Sequence, residues 1–253
     1  MPPLFLLTND DGFFSAGLEA LFRQVQNLGL VYTVAPDREK SATSLALTLH
    51  RPLRVQIIRS NVFAVDGTPA DCVYLAVQKL LPRPPDLVLS GINRGPNLGR
   101  QDVAYSGTAA AALQAAFLDL RSLAISLLPD VAGYYDFEKA AATVFPLISH
   151  FLQFPFPSGL ALNINLPPPP VKGARIVPLG EKCYCPQIVE NIDPRGKAYY
   201  WVGSGDPEIR HFEGTDIEAV RKGYIAITPL KVDFTANNYL QSPFWEKVIQ
   251  LFS

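Results

Sequence analysis

Asn9-Asp10-Asp11-Gly12 sets two carboxylates side by side. Adjacent like charges repel, so each needs a cation or hydrogen bonds to offset it. Their chemistry is that of hard oxygen ligands for a divalent cation. The same residue types also cap helices and turn chains, and these four alone leave both readings open. A second cluster, Asp37-Arg38-Glu39-Lys40-Ser41-Ala42-Thr43-Ser44, offers hydroxyls to a cation or a phosphate, or is a solvated charged loop. A third, SGINRGPNLG from Ser90 to Gly99, leads by a short link to Tyr105-Ser106-Gly107-Thr108. Free amides and hydroxyls at a helix start attract phosphate. Ser106 is equally a good helix cap. The pattern is neither GxxxxGK[ST] nor GxGxxG. Carboxylates and an amide cradle on one rim are the equipment of phosphoryl hydrolysis.

Each cluster needs a strand end to present it. Leu4–Leu7 reads as a buried strand, and apolar positions 18, 21, 22 and 25 predict a helix over Ala16–Asn27. Leu30–Ala35 is a second strand, and shorter ones fall near 53–58 and 62–65. Thr68–Leu81 reads as a helix with Pro69 in its first turn. Asp86–Ser90 is a buried strand, and Ser106–Asp119 a buried helix. Leu123–Leu128, Tyr134–Leu152 and Leu160–Leu166 read as strand, helix and strand. This alternation predicts an α/β fold: a Rossmann-like parallel sheet with helices on both faces. In such sheets ligands sit beyond the carboxyl ends of the strands, where all three clusters fall.

The polyproline tract at 167–170 ends this pattern. Residues 1–166 are expected to form the catalytic core. Residues 167–253 are expected to form a β-rich C-terminal extension packed on it, with a helix over 215–222, a strand over 224–229 and an aromatic-rich tail. In that tail Phe244, Trp245, Val248, Ile249 and Phe252 recur at helical spacing. So much apolar surface at a chain end must be covered, by its own subunit or by a partner.

Composition narrows the function classes. Hydrophobic residues at 48% and charged residues at 18% exclude a disordered chain. A net charge of -1 argues against coating a nucleic acid polymer or an anionic membrane. The apolar stretch near 109–118 is too short to span a bilayer, and the start lacks the pattern of a signal peptide. Cys72, Cys183 and Cys185 make neither a disulfide framework nor a zinc knuckle, which points to a reduced, cytoplasmic protein. His50, His150 and His211 lie outside the clusters and read as structural.

Five ordered blocks carry a resemblance: LLTNDDGFFSAGL, VAPDREKSATS, VDGTPADCVYLA, DLVLSGINRGPNLG and YSGTAAAA. With a weaker sixth, EGTDIEAVRKGYIAITPL over 213–230, the chain resembles the SurE (survival protein E) family of metal-dependent nucleoside monophosphate phosphatases. The resemblance implies one divalent metal ion, Mg²⁺ or Mn²⁺, held by Asp10, Asp11, Ser41 and Asn93. It implies phosphate binding by Asn97, Ser106, Gly107 and Thr108. The implied reaction is hydrolysis of nucleoside 5'-monophosphates, with 3'-monophosphates and short polyphosphate as further substrates in some members. A homodimer or tetramer with exchanged C-terminal segments is also implied. One departure stands out: the family commonly has Gly after the metal-binding serine, and here Ala42 follows Ser41.

The mechanism expected is single-step attack by water, with Asp10 or Asp11 accepting its proton and the groups of Asn97 and 106–108 stabilising phosphate charge. Arg94 is a candidate clamp or a surface residue. A covalent aspartyl-phosphate route ordinarily uses a DxD spacing, which is absent here because Asp10 and Asp11 are adjacent. A nucleotide-binding regulatory module without turnover is the alternative from another class. It gives no reason for two carboxylates beside an anion site.

Overall fold

A computed structural model describes residues 1–184, 187–203, 208–233 and 235–251. The first apolar run is β1 (Leu4–Thr8), buried along its whole length. Ser15 caps α1 (Ala16–Val25) by accepting from the Leu18 amide, and the chain returns through β2 (Leu30–Pro36). A hairpin-like pair, β3 (Val55–Arg59) and β4 (Val62–Val65), follows. Thr68 and Asp71 form a capping box at the start of α2 (Pro69–Leu75). The expected helix continues to Leu80, but its last turn, Ala76–Leu80, widens to π geometry.

Next come β5 (Leu87–Arg94), α3 (Gly99–Tyr105), α4 (Gly107–Phe117) and β6 (Ser122–Leu127). Then α5 (Phe137–Gln153) leads to β7 (Leu160–Leu166). The sequence reads α3 only as a link. Its residues lack apolar periodicity, and of its side chains only Val103 is buried. Contacts distant in sequence hold it, including the Arg100 amide on the Gly180 carbonyl at 3.0 Å.

These strands form a sheet of order β4-β2-β1-β5-β6-β7, all parallel. From β1 the chain builds outward through β2 and β4, then crosses back to lay β5 on the other side of β1. The reversal leaves a crevice at the carboxyl ends of β1 and β5, where open α/β sheets bind ligands. Helices cover both faces. Leu18, Leu21 and Val25 of α1 share one core cluster with Ala141, Val144 and Ile148 of α5. Cys72 and Val73 of α2 share the cluster on the other face with Ala111 and Ala115 of α4.

The remaining chain widens the sheet. β8 (Ala174–Ile176) forms one edge, and β3, antiparallel to β4, forms the other. β9 (Glu181–Cys183) pairs with β12 (Glu208–His211), and β10 (Gln187–Ile192) with β11 (Ala198–Gly203). Thr215 precedes α6 (Asp216–Arg221), after which β13 (Ile225–Lys231) runs antiparallel to β7. In the tail, α7 (Phe244–Ile249) is shorter than the apolar spacing predicts. Its own subunit leaves it largely uncovered: Tyr239, Leu240, Phe244 and Ile249 are all more than 60% exposed. Cys185 and Phe252, both singled out in the sequence, lie outside the described residues.

Candidate active site

Asp10 and Asp11 follow β1 directly. Asp10 is buried, and its Oδ1 accepts from the Thr108 hydroxyl in the first turn of α4. The approach of helix to strand is close: a Cβ on Gly107 would lie 2.7 Å from the Asp10 Cβ and 2.9 Å from its Oδ2. Only glycine fits there. Burial pushes the Asp10 carboxyl up to about 6, against the Thr108 hydrogen bond, and the Asp11 charge adds to the rise. Burial raises Asp11 as well, against the Arg94 amide, which donates to its Oδ2 at 3.1 Å. Neither carboxylate joins an ion pair among the described residues. Gly12, at φ +95°, turns the chain against the Arg38 backbone.

The second cluster lies beside them. The Lys40 amide donates to the Asp10 carbonyl at 2.7 Å, which ties this loop to β1. Ser41 is exposed, and its hydroxyl donates to Glu39 Oε1 at 2.6 Å. The Glu39 charge raises Asp11 further. Ala42 sits at φ +56° and Ser44 at φ +50°, both in the left-handed region. The helix missed by the sequence pins this loop: Ser44 donates to the Tyr105 carbonyl through its amide (3.1 Å) and to the Ala104 carbonyl through its hydroxyl (2.7 Å).

The third cluster closes the rim. The Asn93 side chain donates from Nδ2 to the Gly95 carbonyl at 2.8 Å, which leaves its Oδ1 to face a cation. Asn97 is buried, with its Nδ2 on Ser126 Oγ at 2.8 Å. Ser106 caps α4 by accepting from the Ala109 amide at 3.0 Å. That bond uses a lone pair and leaves the hydroxyl proton free to donate. Arg94 is exposed, its guanidinium 5.4 Å from the Tyr135 ring centre.

Asp10, Asp11, Ser41, Asn93, Asn97 and Ser106 thus line one open cleft of about 750 Å³, large enough for a nucleotide. Tyr105, Tyr134 and Tyr135 supply aromatic walls. Gly107 and Thr108 do not line it, and Thr108 is fully buried with its hydroxyl committed to Asp10. No histidine reaches the cleft.

The donor set fits a hard divalent cation. It comprises two carboxylates raised by burial, one amide oxygen and one hydroxyl, all oxygen. Asn9 Oδ1, next in the chain, is buried with no hydrogen-bond partner among the described residues. Among the described residues, no group of three or more His, Cys, Asp or Glu gathers as a metal site, so the set depends on the amide and hydroxyl oxygens of Asn93 and Ser41.

Sequence reasoning missed Asn163 and Asn165. Both are fully buried on β7 and donate from Nδ2 to the Asn97 carbonyl, at 2.9 and 3.0 Å. The signal was present: LALNINL alternates amide and aliphatic residues on a strand otherwise read as all apolar.

The chain is similar to known proteins. The family model described as survival protein SurE matches residues 5–186. A 5'-nucleotidase SurE of Syntrophotalea carbinolica is 44% identical over 232 residues, 92% of each chain. One of Citrifermentans bemidjiense is 47% identical over 234 residues, 91% of this chain and 93% of that one. The crystal structure of a SurE protein from Aquifex aeolicus superposes with a TM-score of 0.83 at 38% identity. It covers 97% of this chain and 100% of its own.

Proposed function

The chain belongs to the survival protein SurE family, and from that premise we propose that it is a metal-dependent 5'-nucleotidase working in the cleft at the ends of β1 and β5. One observation carries this reading. Two adjacent carboxylates, without an ion-pair partner among the described residues, lie beside a helix start suited to an anion. The bare carboxylates would repel phosphate there, so they make sense only with a cation between.

Asp10, Asp11, Ser41 and Asn93 hold that cation, Mg²⁺ or Mn²⁺. When bound, it neutralises phosphate charge and lowers the pKa of the attacking water. Asp10 or Asp11 also takes up the water's proton. Ser106 donates its hydroxyl proton to a phosphate oxygen while still capping α4. The amides of Gly107 and Thr108 add the field of the helix start. Asn97 supplies a further donor from the opposite side. Water forms the new bond to phosphorus, the bond to the 5' oxygen breaks with that oxygen taking a proton from solvent, and nucleoside and phosphate leave.

A second copy of the chain covers the apolar tail. Its support is the uncovered surface of Leu240, Phe244 and Ile249 together with their helical spacing. A reduced, cytoplasmic setting suits Cys72 and Cys183, both free thiols.

The test is phosphate release from a panel of nucleoside 5'-monophosphates with Mn²⁺ and with EDTA. Turnover that EDTA abolishes is expected. Nucleotide binding without turnover under every condition would establish the regulatory module instead.

A further inference from the structure

Every side-chain polar atom of β7 but one ends on the same residue. The Asn97 amide donates to Asn165 Oδ1 at 2.8 Å, and the Asn97 carbonyl accepts from Asn165 Nδ2 at 3.0 Å and Asn163 Nδ2 at 2.9 Å. The exception is Asn163 Oδ1, which is buried without a partner among the described residues. Both peptide groups that flank the Asn97 side chain are therefore clamped from one strand. The side chain itself is tethered to Ser126. Ser126 stands in register between Asn93 on β5 and Asn165 on β7. One row across three strand ends thus links the proposed cation ligand Asn93 to the clamp on Asn97.

Sheet stability alone does not call for this arrangement. The interior of a parallel sheet is ordinarily filled by Val, Ile and Leu. Burying an amide costs free energy unless its bonds are complete, and the bonds at Asn163 are incomplete. The alternate residues Leu162, Ile164 and Leu166 pack the opposite face of the strand, in the core cluster that holds α1 and α5, and share none of the asparagines' hydrogen bonds. What the two asparagines add is a fixed backbone at Asn97, in a loop that otherwise has Gly95 and Pro96 before it.

We propose that Asn163 and Asn165 are positioning residues for phosphate, acting through Asn97. With its main chain and one amide hydrogen fixed, Asn97 presents the other amide hydrogen to the cleft in a single direction. A donor held in place before the reaction loses no energy to reorganisation as phosphate charge develops. The inference rests on the phosphatase reading of the cleft.

The test uses the full-length Asn97→Ala, Asn165→Ala and double variants. Inorganic phosphate is titrated calorimetrically in Mn²⁺, beside AMP kinetics. Asn165→Ala should weaken phosphate binding about 10-fold and lower kcat/KM by roughly 10- to 100-fold, with Mn²⁺ affinity within about twofold of wild type. The double variant should be no worse than Asn97→Ala, because a residue acting through another adds nothing once that one is gone. Multiplying effects in the double variant would overturn the proposal. So would an Asn165→Ala protein with a lower Tm but unchanged phosphate affinity, or an Asn97→Ala protein that binds phosphate like wild type. If Asn165→Ala does not fold, Asn163→Ala removes one donor of the two and should show a smaller loss of the same kind. Unchanged phosphate affinity there is equally fatal. A wild-type protein that binds phosphate but releases none from AMP would end the phosphatase reading. The phosphate titrations would still decide the positioning role.

Discussion

Asp11 carries the sharpest single-residue test. Asp11→Asn removes one charge from the proposed cation site and almost no volume. Metal-dependent phosphate release should fall by at least 100-fold with the fold retained by circular dichroism, and activity within threefold of wild type would remove Asp11 from the site. Asp10 predicts a pH effect in the cation-stripped protein. Its folded pKa, about 6, exceeds the ordinary 3.8, so the folded state binds the proton more tightly. The stability this confers is complete below pH 3.8 and is lost as pH rises through 6, about 3 kcal/mol in all. Chemical denaturation in EDTA from pH 4 to 7 measures it, and Asp10→Asn should flatten the slope. Ala42 is a strained position. A non-glycine residue at φ +56° costs about 1 kcal/mol, so Ala42→Gly should raise Tm by roughly 2–4 °C. A lower Tm would mean the loop tolerates alanine without strain. The side chains at the cleft were legible in the sequence because carboxylate pairs, asparagines and a serine cap are chemical signals in themselves. The commitment of the Thr108 hydroxyl to Asp10 was not legible, since it depends on how closely α4 approaches β1.

Among the elements, β1, α1, β2, α4, β6 and β7 were readable because an apolar run or an apolar period stands out wherever an element is buried. The helix α3 was not, because polar contacts distant in sequence hold it rather than an apolar face. Its start depends on Asp216, a fully buried carboxylate at the beginning of α6. Asp216 accepts from the Gly99 amide through Oδ2 and from the Gly180 amide through Oδ1, each at 2.8 Å. No local pattern announces a bond that spans 117 residues. Asp216→Ala leaves these buried amides without acceptors and should lower stability by about 3 kcal/mol. Because Gly99 stands two residues beyond Asn97, phosphate affinity should fall as well. A variant with wild-type Tm would show that water replaces the carboxylate.

For the whole molecule, the parallel sheet followed from the alternation of elements, whereas the order of its strands and the antiparallel seating of β13 beside β7 did not. A single short strand carries no sign of its direction. The tail is a question of assembly. Deleting residues 238–253 should shift the protein from dimer or tetramer towards monomer or aggregate, as read by light scattering after size exclusion. An unchanged mass with the protein still in solution would rule the tail out as an oligomer element. The clamp from β7 has one more consequence, and it concerns the order in which the chain is made. Every proposed ligand of cation and phosphate lies before residue 109, but the strand that holds Asn97 ends at Leu166. On a ribosome the first half emerges with all its ligands and no fixed Asn97, and the cleft matures only once β7 has followed. The last part of the proposed phosphate site to be made is therefore its support, not its ligands.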